Sequence, residues 1–128
     1  MINAYSKCDD HTLWGTIPGE LPNKSNSRMI VNGISIKSQK ARDWTRKACL
    51  ILSGAKRLRT YPKEVKLALA VWVYQKDMRR DLDIELLCDA LQHAGVIEND
   101  RQLWEKYARR FIDKEKPRAE WTIRESNS

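Results

Sequence analysis

Along residues 65–74 (VKLALAVWVY), apolar side chains fall on both sides of an extended chain. Val65, Leu67, Leu69, Val71 and Val73 share one face, and Ala68, Ala70, Trp72 and Tyr74 the other. A strand apolar on both faces is expected in the interior of a sheet with both faces covered. Upstream, residues 11–17 (HTLWGTI) read as a strand that Pro18-Gly19-Glu20-Leu21-Pro22 stops. In residues 29–36, two short apolar runs flank Asn32-Gly33, a hairpin signal because both central residues tolerate positive φ.

Two segments change to a helical period. Ser38 is placed to cap a helix running to about residue 52, with Ala41, Trp44, Ala48, Ile51 and Leu52 on one side and Ser53-Gly54 as its stop. Lys56, Arg57 and Arg59 would then lie in a loop ending at Pro62. A second helix is expected over residues 82–94, with Asp81 or Asp83 as its cap and Gly95 ending it. Residues 103–111 and 118–124 read as a final antiparallel strand pair turning at 113–117, and residues 1–10 as a polar N-terminal arm. The order β-β-α-β-α-β-β predicts one α+β domain over residues 11–125, a mixed sheet with two main helices.

Charge narrows the partners. Lys+Arg number 24 against 17 Asp+Glu, a net charge of +7, which favours a polyanion: DNA, RNA or an anionic membrane face. No apolar run approaches the roughly 18–20 residues of a spanning helix. The N-terminal residues lack a basic-then-apolar signal pattern, so no membrane association and a cytoplasmic location are expected. Cys8, Cys49 and Cys88 are odd in number and widely spaced, fitting neither a disulfide framework nor a zinc site. Cys49 and Cys88 read as small core residues. His11 and His93 likewise form no zinc pattern.

The densest chemistry lies in residues 79–103. Asp81 and Asp83 sit where a charged loop enters the second helix, beside Arg79 and Arg80, and Asp100 follows beyond the helix's far end. Carboxylates suit hard cations and arginines suit phosphates, which together point to metal-assisted cutting of a nucleic acid. From spacing alone the same residues also read as a helix cap and a turn acid.

Arg79-Arg80-Asp81-Leu82-Asp83, then Asp89-Ala90-Leu91, Ala94-Gly95 and Asn99-Asp100-x-Gln102 resemble the signature of the RusA-type Holliday junction resolvases. Residues 17–28 (IPGELPNKSNSR) resemble that family's opening strand and its basic, proline-rich loop, so the likeness covers about residues 12–124. The resemblance implies a small homodimeric endodeoxyribonuclease of bacteria, phages or prophages. It would use Mg²⁺, or Mn²⁺ in its place, and cut four-way DNA junctions in recombination and repair. It assigns Asp81, Asp83 and Asp100 as catalytic, metal-holding aspartates. Two positions depart from the pattern: Ile84 stands where the family has asparagine, and Leu87 where it has an essential lysine. The stretch from Asp83 to Asp89 is also two residues short, about 200° of helix rotation to be absorbed at the helix start. Lys24, Arg79, Arg80 and, more distantly, Lys76 are candidates to supply the missing cation.

Lys24, Arg28, Arg79, Arg80, Arg109 and Arg110 are the expected DNA contacts, because they flank the motif or match the family. Lys40, Arg42, Arg46 and Lys47 read as a solvated helix face. The five tryptophans read as core or dimer surface, with one of them, or Tyr107, available to stack in a junction. Two rival readings stay open: a junction-binding protein without catalysis on the same fold, and a protein–protein adaptor whose aspartates only cap and solvate. A single-strand RNA nuclease is disfavoured by the lack of an acid–base histidine pair.

Overall fold

The computed structural model describes residues 5–8, 12–24, 28–32 and 34–127. Strands β1 (Tyr5–Cys8), β2 (Thr12–Pro18), β5 (Leu67–Gln75), β6 (Leu103–Ile112) and β7 (Arg118–Glu125) form one sheet in the order β1-β2-β7-β5-β6. A hairpin of β3 (Arg28–Val31) and β4 (Ile34–Lys37) stands apart as a two-stranded sheet. Helices α1 (Gln39–Leu58) and α2 (Glu85–His93) pack against each other over one face of the large sheet. This is a single α+β domain with one mixed five-stranded sheet and two helices, as the pattern predicted.

Strand β5 has neighbours on both sides, β6 parallel and β7 antiparallel. Leu67, Leu69, Val71 and Val73 are buried beneath the helices. On the opposite face Ala70, Trp72 and Tyr74 are only half-covered, so the chain leaves this side of the sheet partly open. There Arg118 lies 3.8 Å above the Tyr74 ring, Tyr74 stacks on Phe111 at 5.0 Å, and Arg109 lies 5.1 Å from Phe111. Guanidinium–aromatic stacking lets these cations cover apolar surface while staying hydrated.

Several elements differ from expectation for identifiable reasons. The last two strands are not a pair: β5 lies between them. A β5-α2-β6 crossover sets β6 parallel beside β5, and β7 returns antiparallel on β5's other edge. Residues 5–8, expected in a loose arm, pair with β2 as an edge strand. Helix α1 continues through Ser53-Gly54, because Ala55 extends the buried stripe of Ala41, Trp44, Ala48 and Leu52. That packing outweighs a helix-propensity cost of about 1 kcal/mol for one glycine, and the Ser53 hydroxyl donates back to the Cys49 carbonyl at 2.8 Å. Lys56 and Arg57 are therefore helical. Ser38 does cap α1, its hydroxyl accepting from the Ala41 N–H at 3.2 Å.

Helix α2 begins at Glu85, later than residue 82, with Ile84 at the cap position and no side-chain cap bond from it. Its end matches the expectation. Gly95 takes φ +82, the Gly95 N–H reaches the Gln92 carbonyl and the Val96 N–H reaches that of Leu91. This is the paired bonding of a Schellman stop, with Val96 buried. In the hairpin, Val31 pairs with Ile34 across a two-residue turn, and Asn32 has φ +52. Gly33 and His11 lie outside the described residues. Cys88 is buried, and burial pushes its thiol up to about 11, so it stays neutral; Cys49 is partly buried against the core.

Candidate active site

Strand β5 ends at Gln75, and the chain then loops through residues 76–84 to the start of α2. Two buried amides meet the backbone of Asp81 in this loop. Gln75, 1% exposed, donates from Nε2 to the Asp81 carbonyl at 3.3 Å. Asn23, 2% exposed, donates to the same carbonyl at 3.0 Å and accepts from the Asp81 N–H at 3.3 Å, once its amide is oriented to satisfy both. The Asp81 main chain is thereby fixed from two sides while the residue itself stays exposed.

Asp83 is half-buried, and both its oxygens are engaged. Oδ1 accepts the Glu85 N–H at 2.9 Å, at the first turn of α2, and Oδ2 accepts the Lys24 N–H at 3.0 Å. Asp83 thus serves an opening N–H of the helix although it is not the formal cap. The Lys24 ammonium lies 2.9 Å from Asp89 Oδ2, one turn into α2. Asp81, Asp83, Asp89 and Lys24 therefore gather around the N-terminal end of α2.

Glu20 holds this region together. Its side chain is only 6% exposed; Oε2 accepts the Lys76 N–H at 2.8 Å and Oε1 accepts Arg80 Nε at 2.8 Å, with Lys40 Nζ at 3.7 Å. A buried carboxylate needs such partners to offset its desolvation. Arg110 donates to the Arg80 carbonyl at 3.0 Å. Arg80 and Arg110, expected as phosphate contacts, thus help build the acidic loop. Arg79 is 90% exposed beside Asp77, and Arg109 is exposed beyond Phe111. Arg28 opens β3, and its side chain lies outside the described set.

Asp100 is not brought to this end. It opens a short 3-10 helix (Asp100–Gln102) leading into Leu103, which pairs with Leu67 at the start of β5, whereas Asp81 and Asp83 follow the end of β5. The Asp100 N–H bonds Gln92 Oε1 at 3.1 Å, at the C-terminal end of α2. Nine residues of helix, about 13 Å, separate the two ends. Gln102 fixes this corner. Its Oε1 accepts from the N–H groups of Glu98 (2.9 Å) and Asn99 (3.1 Å), and its Nε2 donates to the carbonyls of Pro62 (2.6 Å) and Val65 (3.1 Å). Gln102→Leu keeps the volume but orphans the Glu98 and Asn99 N–H groups and the Val65 carbonyl, while the Pro62 carbonyl keeps the Val65 N–H. We expect it to cost about 3 kcal/mol, read as a lowered urea midpoint with unchanged m-value; a shift below about 0.5 kcal/mol would show that water replaces the amide.

No group of three or more His, Cys, Asp or Glu side chains among the described residues is arranged to hold a metal ion. What the chain does offer is the pair Asp81 and Asp83. Mg²⁺ retains several waters and commonly binds through one or two carboxylates plus substrate phosphate, so the chemistry of this pair fits it. Sequence reasoning missed Glu20, Asn23 and Gln75 as parts of the site. Each acts through a tertiary contact; Glu20, Asn23 and Asp89 lay within the segments that resemble the family but had no assigned role, and Gln75 carries no local signal.

The mixed sheet, the crossover helix and the acidic loop at its head define a class: a compact α+β domain presenting carboxylates from the end of an interior strand. The family model described as Endodeoxyribonuclease RusA matches residues 18–124, and the chain belongs to that family. The match begins at Pro18 and takes in the opening loop, both helices and the acidic motif. No curated protein matches the chain.

Proposed function

We propose that the protein is a Mg²⁺-dependent endodeoxyribonuclease that resolves four-way DNA junctions in recombination and repair. The observation that carries this reading is the convergence of three separate segments on Asp81 and Asp83: the opening loop, the end of β5 and the start of α2. Asp81 and Asp83 would hold the cation, Mg²⁺ or Mn²⁺, which when bound supplies Lewis acidity at the scissile phosphate and lowers the pKa of a bound water. Asn23 and Gln75 keep the Asp81 backbone in place without reorganisation during reaction. The Glu85 and Lys24 N–H groups do the same for the Asp83 carboxylate.

A homodimer matches the two symmetric strands of a junction. DNA contacts come from Lys24, from the exposed Arg79 and Arg109, and from Arg28 as read from the sequence, while Arg80 and Arg110 support the loop. No helix of the described residues is long and apolar enough to cross a membrane; the cytoplasmic, bacterial or phage setting is proposed from the family.

The test is cleavage of a labelled synthetic four-way junction by purified protein in Mg²⁺ and in EDTA, with linear duplex as control. Paired symmetric nicks in Mg²⁺ alone are expected. Junction retarded but uncut would favour the non-catalytic binder, and absence of salt-sensitive binding would favour the adaptor.

A further inference from the structure

We propose that Lys24 is the phosphate-directed cation of the acidic site, held over it by Asp89 until DNA arrives. The proposal rests on the reading of Asp83 as part of a phosphodiesterase site. Its first support is position. The Lys24 N–H lies 3.0 Å from Asp83 Oδ2 and its ammonium 2.9 Å from Asp89 Oδ2, so one residue touches two carboxylates of the cluster through different atoms.

The second support is that two neighbouring cations, Arg80 and Arg110, are engaged in building the loop. Arg80 Nε is bound to the buried Glu20. Arg110 donates to the Arg80 carbonyl. Arg79 projects into solvent beside Asp77. Helix α2 contributes no lysine or arginine, and Leu87 is fully buried in the core, so no cation can enter from that position.

The third support is rigidity. The Lys24 main chain is set by buried anchors immediately before it: Glu20 on Lys76 and Arg80, Leu21 at 1% exposure, and Asn23 on Asp81. The backbone that carries the lysine therefore keeps its place when the counter-ion changes, and only the flexible stem has to move. The pair is also reachable, with Lys24 41% and Asp89 25% exposed at the side chain. An ion pair this exposed is weakly held. A DNA backbone, which brings several closely spaced phosphate charges against the lone carboxylate of Asp89, can take over the ammonium. Delivered there, it would offset the negative charge that grows on the phosphate oxygens as the water attacks and the ester oxygen leaves.

The experiment measures single-turnover cleavage of a four-way junction at saturating protein for wild type, Lys24→Met, Lys24→Arg and Asp83→Asn. Thermal midpoints and junction affinity in Ca²⁺ are measured alongside. Lys24→Met should cut about 100-fold more slowly while melting normally and binding junction within a few-fold. Lys24→Arg should recover much of the rate, and millimolar ethylammonium should accelerate Lys24→Met but not wild type. A merely structural lysine would not produce that amine rescue. If Lys24→Met cuts at the wild-type rate while Asp83→Asn is dead, the lysine proposal is overturned and the site reading stands. If Lys24→Met is slow but neither arginine nor the amine restores it, the lysine acts only structurally and the proposal also fails. If wild type does not cut, or Asp83→Asn cuts like wild type, the site reading falls and takes the lysine with it.

Discussion

Asp83→Asn is expected to lower single-turnover junction cleavage by more than 1,000-fold while leaving junction binding intact or tighter. The substitution keeps shape but removes a charge whose oxygens are both directed by fixed N–H groups. An asparagine can accept only one of those two N–H groups and must turn its NH₂ toward the other. The local cost of that clash is about 1 kcal/mol, too small to unfold the domain. Losing a carboxylate from a pair that would hold the cation removes both metal affinity and the charge needed for catalysis. Binding should not suffer, because a negative charge near the phosphate backbone has gone. Cleavage by the variant within tenfold of wild type would remove Asp83 from the site.

Trp121→Ala should destabilise the domain by about 3–5 kcal/mol and lower its thermal midpoint by more than about 10 °C. Trp121 lies on β7, the middle strand of the sheet, and is 1% exposed within the core. Its neighbours across the two ladders are Gly15 and Val71. Trp121→Phe should cost much less than the alanine variant. The indole Nε1 is buried without a hydrogen-bond partner, and phenylalanine removes that unsatisfied donor while keeping most of the ring. Calorimetric or urea unfolding of the two variants measures the contrast. Equal losses would mean that volume alone governs the site.

These two residues show different degrees of legibility. Trp121 alternates with Glu120 and Thr122 in an extended segment, so its inward direction follows from the period of a strand. Asp83 was legible as part of a motif, and its place before α2 followed from the helical period that begins there. What holds it was not legible, because the donor on Oδ2 comes from a residue 59 positions away. The missing lysine illustrates the same limit. The sequence shows Leu87 in its place and several candidate cations. Their fates differ in the folded chain: Arg80 is tied to Glu20, Arg79 is in solvent and Lys24 is on Asp89.

The errors in reading the elements have a common cause. Local propensity stops α1 at Ser53-Gly54 and starts α2 at residue 82, and packing or a loop's tertiary bonds override each. Ala55 continues a buried stripe, and the segment before Glu85 is held as a loop by Asn23, Gln75 and Lys24. The supposed pairing of the last two strands assumed that neighbours in sequence pair in space, which a β-α-β crossover breaks.

By itself the sequence determined the class of the domain, the interior strand, both helices, the Asn32-Gly33 hairpin and the family. Hydrophobic period, caps and motif spacing are local properties, and each is written in consecutive residues. Only the tertiary structure decided the strand order and which basic residues support the loop rather than face solvent. It also decided that Asp81 and Asp83 gather with Asp89 and Lys24 while Asp100 stands beyond α2. Those outcomes depend on contacts between segments some 60 residues apart, such as Lys24 with Asp83 and Glu20 with Arg80. Their energies become favourable only once the sheet has closed and desolvated the groups that must pair.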